Sequence, residues 1–136
     1  MSTANKAIVN KFNHEVIERC NRDAFEVLVA ESFVNQTAGA GQPTGREGLW
    51  HTFQNVLRPG LSDLKVVVLD QVAEQDKVTT RKRIIGRHSG ELLGIPATGR
   101  LVSIDVIDIV RIQDGQYVEH WGINSLASVL ADLRSA

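Results

Sequence analysis

Apolar side chains at Ile8, Val9, Phe12, Val16 and Cys20 form a helical stripe, and this spacing predicts a helix over residues 4–20. Asn21 is placed to cap a second, shorter helix from Asp23 to Ala30, with Phe25, Val27 and Leu28 turned inward. A brief extended piece from Ser32 to Thr37 runs into the Gly-rich loop Ala38-Gly39-Ala40-Gly41-Gln42-Pro43. Thr44-Gly45-Arg46-Glu47 has the form of a capping box, in which each side chain bonds the other's free backbone N–H. It opens a third helix whose stripe is Leu49, Trp50, Phe53, Val56 and Leu57, and Pro59-Gly60 ends it.

Beyond Gly60 the period changes from helical to alternating. Leu64 to Ala73 is Val-rich and predicts a strand, and Glu74-Gln75-Asp76-Lys77 a tight polar turn. Val78 to His88 and Val102 to Ile112 predict two more strands. Asp114-Gly115 is a hairpin signal before a fourth, Tyr117 to Ile123, and Leu126 to Leu133 predicts a short terminal helix. Helices first and then a meander of long strands is the α+β pattern. With 136 residues the chain is expected to form a single domain, 1–136, able to hide about two-thirds of its unfolded surface without a staple.

Ionisable residues interrupt strands that otherwise look like core: Asp105, Asp108 and His120. Buried charge is costly unless it is paired or used, and a small cone with a polar-floored apolar pocket reconciles the two. Alternation puts Ile104, Val106, Asp108, Val110 and Ile112 on one face of the third strand, and Val118, His120 and Gly122 on one face of the fourth. A two-residue turn pairing Gln113 with Gln116 would set His120 opposite Ile109. A three-residue loop with a Gly bulge would shift the pairing by one and set His120 beside Asp108 or Val110. The bulged form is expected, because it joins Asp108 and His120 on one face. Such a pair suits proton transfer, with the carboxylate stabilising the protonated imidazole. The plain alternative is a hydrogen bond inside the sheet, or two side chains facing solvent.

Other candidates also carry two readings. His88, between Gly86 and Gly90, either lines a pocket mouth or simply ends a strand. Asn35 either bonds a ligand carbonyl or caps a loop. Trp50 and Trp121 either wall a cavity or pack in a core or interface. His14 and His51 fall on helices as surface or packing residues. Net charge is −1, and Arg81-Lys82-Arg83, the sole basic run, alternates faces, so neither nucleic acid nor a membrane is an expected partner. Cys20 is alone, which fits a cytoplasmic protein, and the N-terminal stretch shows no secretion signal. No apolar run approaches the ~20 residues of a membrane span. The His spacing suggests no metal site, and nucleophile-elbow, phosphate-loop and dinucleotide motifs are missing.

Several segments together resemble the SnoaL-like polyketide cyclases of the nuclear-transport-factor-2-like superfamily, over nearly the whole chain. They are the helix from Ile8 to Val16, Glu31-Ser32-Phe33-Val34-Asn35 and Gly45-Arg46-Glu47-Gly48. The long runs Gly86 to Arg100 and Ile107 to Trp121 are the most specific. The resemblance implies a curved antiparallel sheet wrapped by helices into a cone, an apolar pocket, a homodimer packed through the sheet, and neither metal nor organic cofactor. It implies an intramolecular aldol ring closure on a hydrophobic, carbonyl-rich small molecule. His120 would be general base or acid, oriented by Asp108. Asn35 and His88 would bond substrate oxygens, and Trp121, Trp50 and Phe12 would contact the substrate. In the best-known cyclases an aspartate follows the His by two residues; here that position is Gly122. Hydroxylase, ketosteroid-isomerase-like and non-catalytic binding roles use related sheets and stay open at this point.

Overall fold

In a computed structural model, which describes residues 2–135, the first helical stripe forms α1 (Ser2–Phe12) and continues without a break as a wider π-wound segment, Asn13–Glu18. Asn21 caps α2 (Arg22–Leu28) as expected, its side chain accepting the Ala24 N–H at 3.1 Å. Val27 does not turn inward; it is 66% exposed, and Phe25 and Leu28 are the buried residues of this helix.

β1 (Val29–Asn35) leads through the Gly-rich loop to α3 (Arg46–His51), which again widens into a π-wound segment, Thr52–Leu57, and closes with a turn at Arg58–Gly60. The capping box does not form. Gly45 occupies the cap, and the Glu47 carboxylate is drawn instead to the guanidinium of Arg22 in a two-pronged pair at 2.9 and 2.6 Å. A planar fork matched to a carboxylate outcompetes a single backbone N–H.

The meander then runs through β2 (Leu61–Glu74), β3 (Lys77–His88), β4 (Leu101–Gln113) and β5 (Gln116–Asn124), followed by a C-terminal helix, Leu126–Arg134. The sheet order is β1-β5-β4-β3-β2. β2 to β5 are antiparallel neighbours, and β1 adds in parallel along the free edge of β5, so the sheet is not antiparallel throughout. Alternation is strict along β3, where Val78, Thr80, Lys82, Ile84, Gly86 and His88 are buried. α1 packs on the inner face of β2 and β3 and α3 packs on β1, around a core that includes Val9, Phe12, Phe25, Phe33 and Ile104.

The two π-wound segments are tied together where their backbones are left open. Gln54 donates to the carbonyl of Val16 at 2.8 Å, and Arg58 reaches the carbonyls of Ile17 and Glu18 at 2.5 and 3.2 Å. The Ile17 and Glu18 carbonyls at this helix end gain a partner in this way, while that of Val16 also accepts the Cys20 N–H at 3.2 Å. The second widened turn, through Thr52, Phe53, Val56 and Leu57, lines the cavity described next, as such turns often do at functional sites.

Candidate active site

The inner face of β3, β4 and β5 floors a cavity of about 260 Å³, roofed by α3 and its π-wound extension and closed at one side by the start of the C-terminal helix. Its apolar wall includes Leu49, Phe53, Leu57, Ile84, Ile104 and Val106, and its polar end is Asn35, Thr37, Lys82, Asp108 and His120.

Register brings the polar end together. Asp114 and Gly115 both have positive φ, 52° and 75°, and form a two-residue turn that pairs Gln113 with Gln116. The expected bulge therefore does not lie in the turn. It lies two residues later: Ile112 pairs with Tyr117 but Arg111 pairs with Glu119, leaving Val118 as the extra residue. Beyond it Val110 faces His120 and Asp108 faces Gly122, all on the inner face. The parallel pairing of β1 then sets Asn35 beside His120.

The ring of His120 is held from one side. Its Nδ1 lies 2.9 Å from Oδ1 of Asn35. That oxygen also accepts the backbone N–H of Thr37 at 3.2 Å, which fixes it as an acceptor. Nδ1 must then carry the proton it donates, and in the neutral ring Nε2 is left bare. Nε2 stands 3.5 Å from Oδ2 of Asp108, an ion-pair distance rather than a good hydrogen bond. Asn35 thus makes the short bond to the imidazole, and Asp108 faces its other nitrogen.

Asp108 is 6% exposed. Its Oδ2 is also 3.5 Å from Nζ of Lys82, which is itself 4% exposed and donates to Oδ1 of Asn13 at 2.7 Å. Burial pushes the Asp108 carboxyl up, but the Lys82 ammonium and then the His120 ring outweigh it and hold its pKa below the usual carboxylate value. Burial, with the charge of Asp108 adding to it, holds the Tyr117 phenol well above its ordinary pKa. Oδ1 of Asp108 and Nδ2 of Asn13 are buried without a hydrogen-bond partner.

The remaining expected residues lie elsewhere. Trp121 follows His120 on β5, so the alternation that sends His120 inward sends Trp121 to the outer face, where Lys77 lies 5.7 Å from its ring centre. Trp50 packs on Phe25 at 5.1 Å, with the Arg22 guanidinium 5.0 Å from the indole. Phe12 is core, stacked on Tyr117 at 4.5 Å and edge-on to Phe53, so it backs the cavity wall without lining it. His88 is fully buried at the far end of β3, bonded to Thr98 and to the carbonyl of Ile95. Asp105 is on the outer face, 3.2 Å from Arg83.

Lys82 and Asn13 are the residues that sequence reasoning missed. The signal was present: in Arg81-Lys82-Arg83 only the middle residue shares a face with Val78, Thr80 and Ile84. Among the described residues, no group of three or more His, Cys, Asp and Glu side chains is placed to hold a metal ion, and no helix is long and apolar enough to cross a membrane.

An α+β fold with a curved sheet and a cluster of ionisable groups at one end of an apolar cavity is the frame of a class that binds small molecules, and comparison with known proteins makes it specific. The sequence profile described as SnoaL-like polyketide cyclase matches residues 7–133, and the chain belongs to this family. A 43-residue stretch is 44% identical to aklanonic acid methyl ester cyclase DnrD of Streptomyces peucetius, spanning 32% of this chain and 30% of that protein. The match thus covers less than a third of either. Among solved structures, TsrD of Streptomyces laurentii superposes with a TM-score of 0.84 at 25% identity, covering 98% of this chain and 97% of that one. IdmH of Streptomyces antibioticus, a candidate polyketide cyclase, gives 0.83 at 28% identity, covering 96% and 98%.

Proposed function

We propose that this protein closes a ring in a hydrophobic, carbonyl-rich small molecule by an intramolecular aldol step, with His120 as the proton carrier. The supporting observation is the fixed tautomer. Asn35 occupies Nδ1–H, so the bare Nε2 is the one basic atom the ring presents, and Asp108 stands ready to stabilise the charge that forms. Nε2 takes a proton from a carbon flanked by carbonyls. The resulting enolate carbon attacks the acceptor carbonyl, and the imidazolium returns its proton to the new alkoxide. The step is an isomerisation: mass is unchanged and no electrons are exchanged with another reagent, so the proposal invokes no cofactor.

Ester-cyclase chemistry is favoured within this reading by the relative DnrD, whose name gives aklanonic acid methyl ester as its substrate. The test is incubation with that ester, following a ring-closed product of equal mass by chromatography. Acid–base groups of this kind supply about 10²–10⁴-fold of rate, so His120→Ala should lower turnover by that factor while leaving the circular dichroism spectrum intact. An unchanged rate sinks the assignment.

We further place the protein in the cytoplasm as a homodimer. A single cysteine needs no oxidising compartment, and the outer sheet face carries exposed Val67, Val72, Ile107 and Ile123. Analytical ultracentrifugation at micromolar concentration decides the second point.

A further inference from the structure

We infer that the polar end of the cavity is a binding site for the anionic form of a conjugated enol or phenol, with Lys82 as the counter-charge to its oxygen. This rests on the ring-closing reading and names the class of molecule the site holds. Three observations carry it. Lys82 is the one buried member of its basic run, and it lines the cavity. Its ammonium has three N–H groups; one goes to Asn13 and one faces Asp108 at 3.5 Å, which leaves one for a ligand oxygen.

Charge supplies the second argument. With a neutral ring, the positive Lys82 and negative Asp108 cancel, so the cavity floor holds no net charge. When His120 takes a proton from a ligand O–H, the O–H bond breaks, an N–H bond forms at Nε2, and the floor gains one positive charge against the new oxyanion. The groups facing Asp108 are Lys82 from β3 and His120 and Tyr117 from β5; Asn13 from the first helix is neutral. The cavity-lining side chains of α3 and its extension are Leu49, Thr52, Phe53, Val56 and Leu57, none of them charged. Among the described residues, the cavity lining holds no ionisable side chain besides Lys82, Asp108 and His120.

The third argument is the surroundings. Fixed charges against an apolar wall interact more strongly than in open water, and they need no reorganisation when the anion forms. An enol whose anion is spread over a conjugated system meets the apolar wall and the cation at once.

The experiment uses 2-naphthol, whose neutral and ionised forms differ in absorption and fluorescence. The whole protein at neutral pH is expected to bind it with the spectrum of the naphtholate. Lys82→Met should weaken this ionised binding by about tenfold or more, the size of one hydrogen bond to a charged group. Naphthalene, which has no oxygen, should bind both proteins alike. Because Lys82→Met strands a buried carboxylate, the paired variant Lys82→Met with Asp108→Asn removes both charges and should also lose the ionised spectrum. Naphthol bound in its neutral form by the wild-type protein, or an ionised spectrum that survives Lys82→Met, overturns the inference. The reading of ring closure fails separately: naphtholate bound by a protein that closes no ring leaves the site and removes the reaction.

Discussion

Gly122 makes room for the ring of His120. A Cβ added at position 122 would lie 2.9 Å from Cε1 and 3.1 Å from Nε2 of that imidazole, and 3.4 Å from Cβ of Asp108. Carbon atoms do not approach a ring so closely, so a side chain at 122 and the present ring position exclude each other. The cross-strand partner of Gly122 is Asp108. A carboxylate is therefore present at this level of the ladder, on β4 instead of β5.

Gly122→Ala should accordingly push the ring aside and break its 2.9 Å bond to Asn35. The expected result is a loss of about tenfold or more in turnover, since small misplacements of reacting groups cost on that scale or above. The melting temperature should move by only a few degrees. Nitrogen NMR of His120 checks the cause: the Nδ1–H signal should lose its bonded shift.

Asn35→Leu removes the acceptor that selects the tautomer while keeping similar bulk. Nε2–H should then become populated beside Asp108, because a carboxylate is the better acceptor left within reach. That tautomer has no free basic atom pointing at the cavity floor. Turnover should fall by about tenfold or more with KM changed less, and two-dimensional nitrogen–proton spectra should show the proton moved from Nδ1 to Nε2.

The pH dependence of stability follows from Asp108 and Tyr117. The Asp108 pKa is lowered on folding, so its contribution is present above the ordinary carboxylate value and is lost as pH falls through that value toward the lower folded one. The Tyr117 pKa is raised well above its ordinary value. Its contribution is complete below that value and fades as pH rises past it, because the unfolded chain ionises first. Melting temperature should therefore fall at both ends. In Asp108→Asn the acid limb should flatten, and in Tyr117→Phe the alkaline limb; a wild-type acid limb that survives Asp108→Asn unchanged contradicts the assignment.

Much of this architecture was legible in the chain because its elements are long and their periods differ. Strict alternation in Val78 to His88 and Val102 to Ile112 forces one face inward whatever the neighbours do. The same alternation turns Trp121 away from the wall that holds His120, against the expectation that it would contact the substrate. Register was harder. The Asp-Gly turn is a local signal and formed as a two-residue turn, but the bulge at Val118 carries no Gly or other local mark. It was inferable only from the cost of separating Asp108 from His120. Three-dimensional competition hid the rest. Glu47 left its cap for Arg22, a residue on another helix, and Asn13 met Lys82 across 69 positions of sequence. Neither partner can be named from spacing.

His88 offers the sharpest test of the line between site and scaffold. It is fully buried, and its backbone N–H and carbonyl bond Arg100 and Gly99, closing the loop that follows β3. The backbone N–H of Thr98 donates to Nδ1 at 3.2 Å, so that nitrogen is an acceptor and Nε2–H donates to the carbonyl of Ile95 at 3.2 Å. The loop thus carries Leu92 into the core beside Gly60 through one neutral imidazole. His88→Leu fills the volume but removes the ring's bonds to the Thr98 N–H and to the Ile95 carbonyl, the latter keeping the Leu92 N–H at 3.0 Å. At about 0.5–1.5 kcal/mol net for each lost bond, stability should drop by about 1–3 kcal/mol, read from urea unfolding at constant slope. Because His88 does not line the cavity, turnover per folded molecule should stay at the wild-type level. A loss of turnover without a loss of stability would return His88 to the substrate.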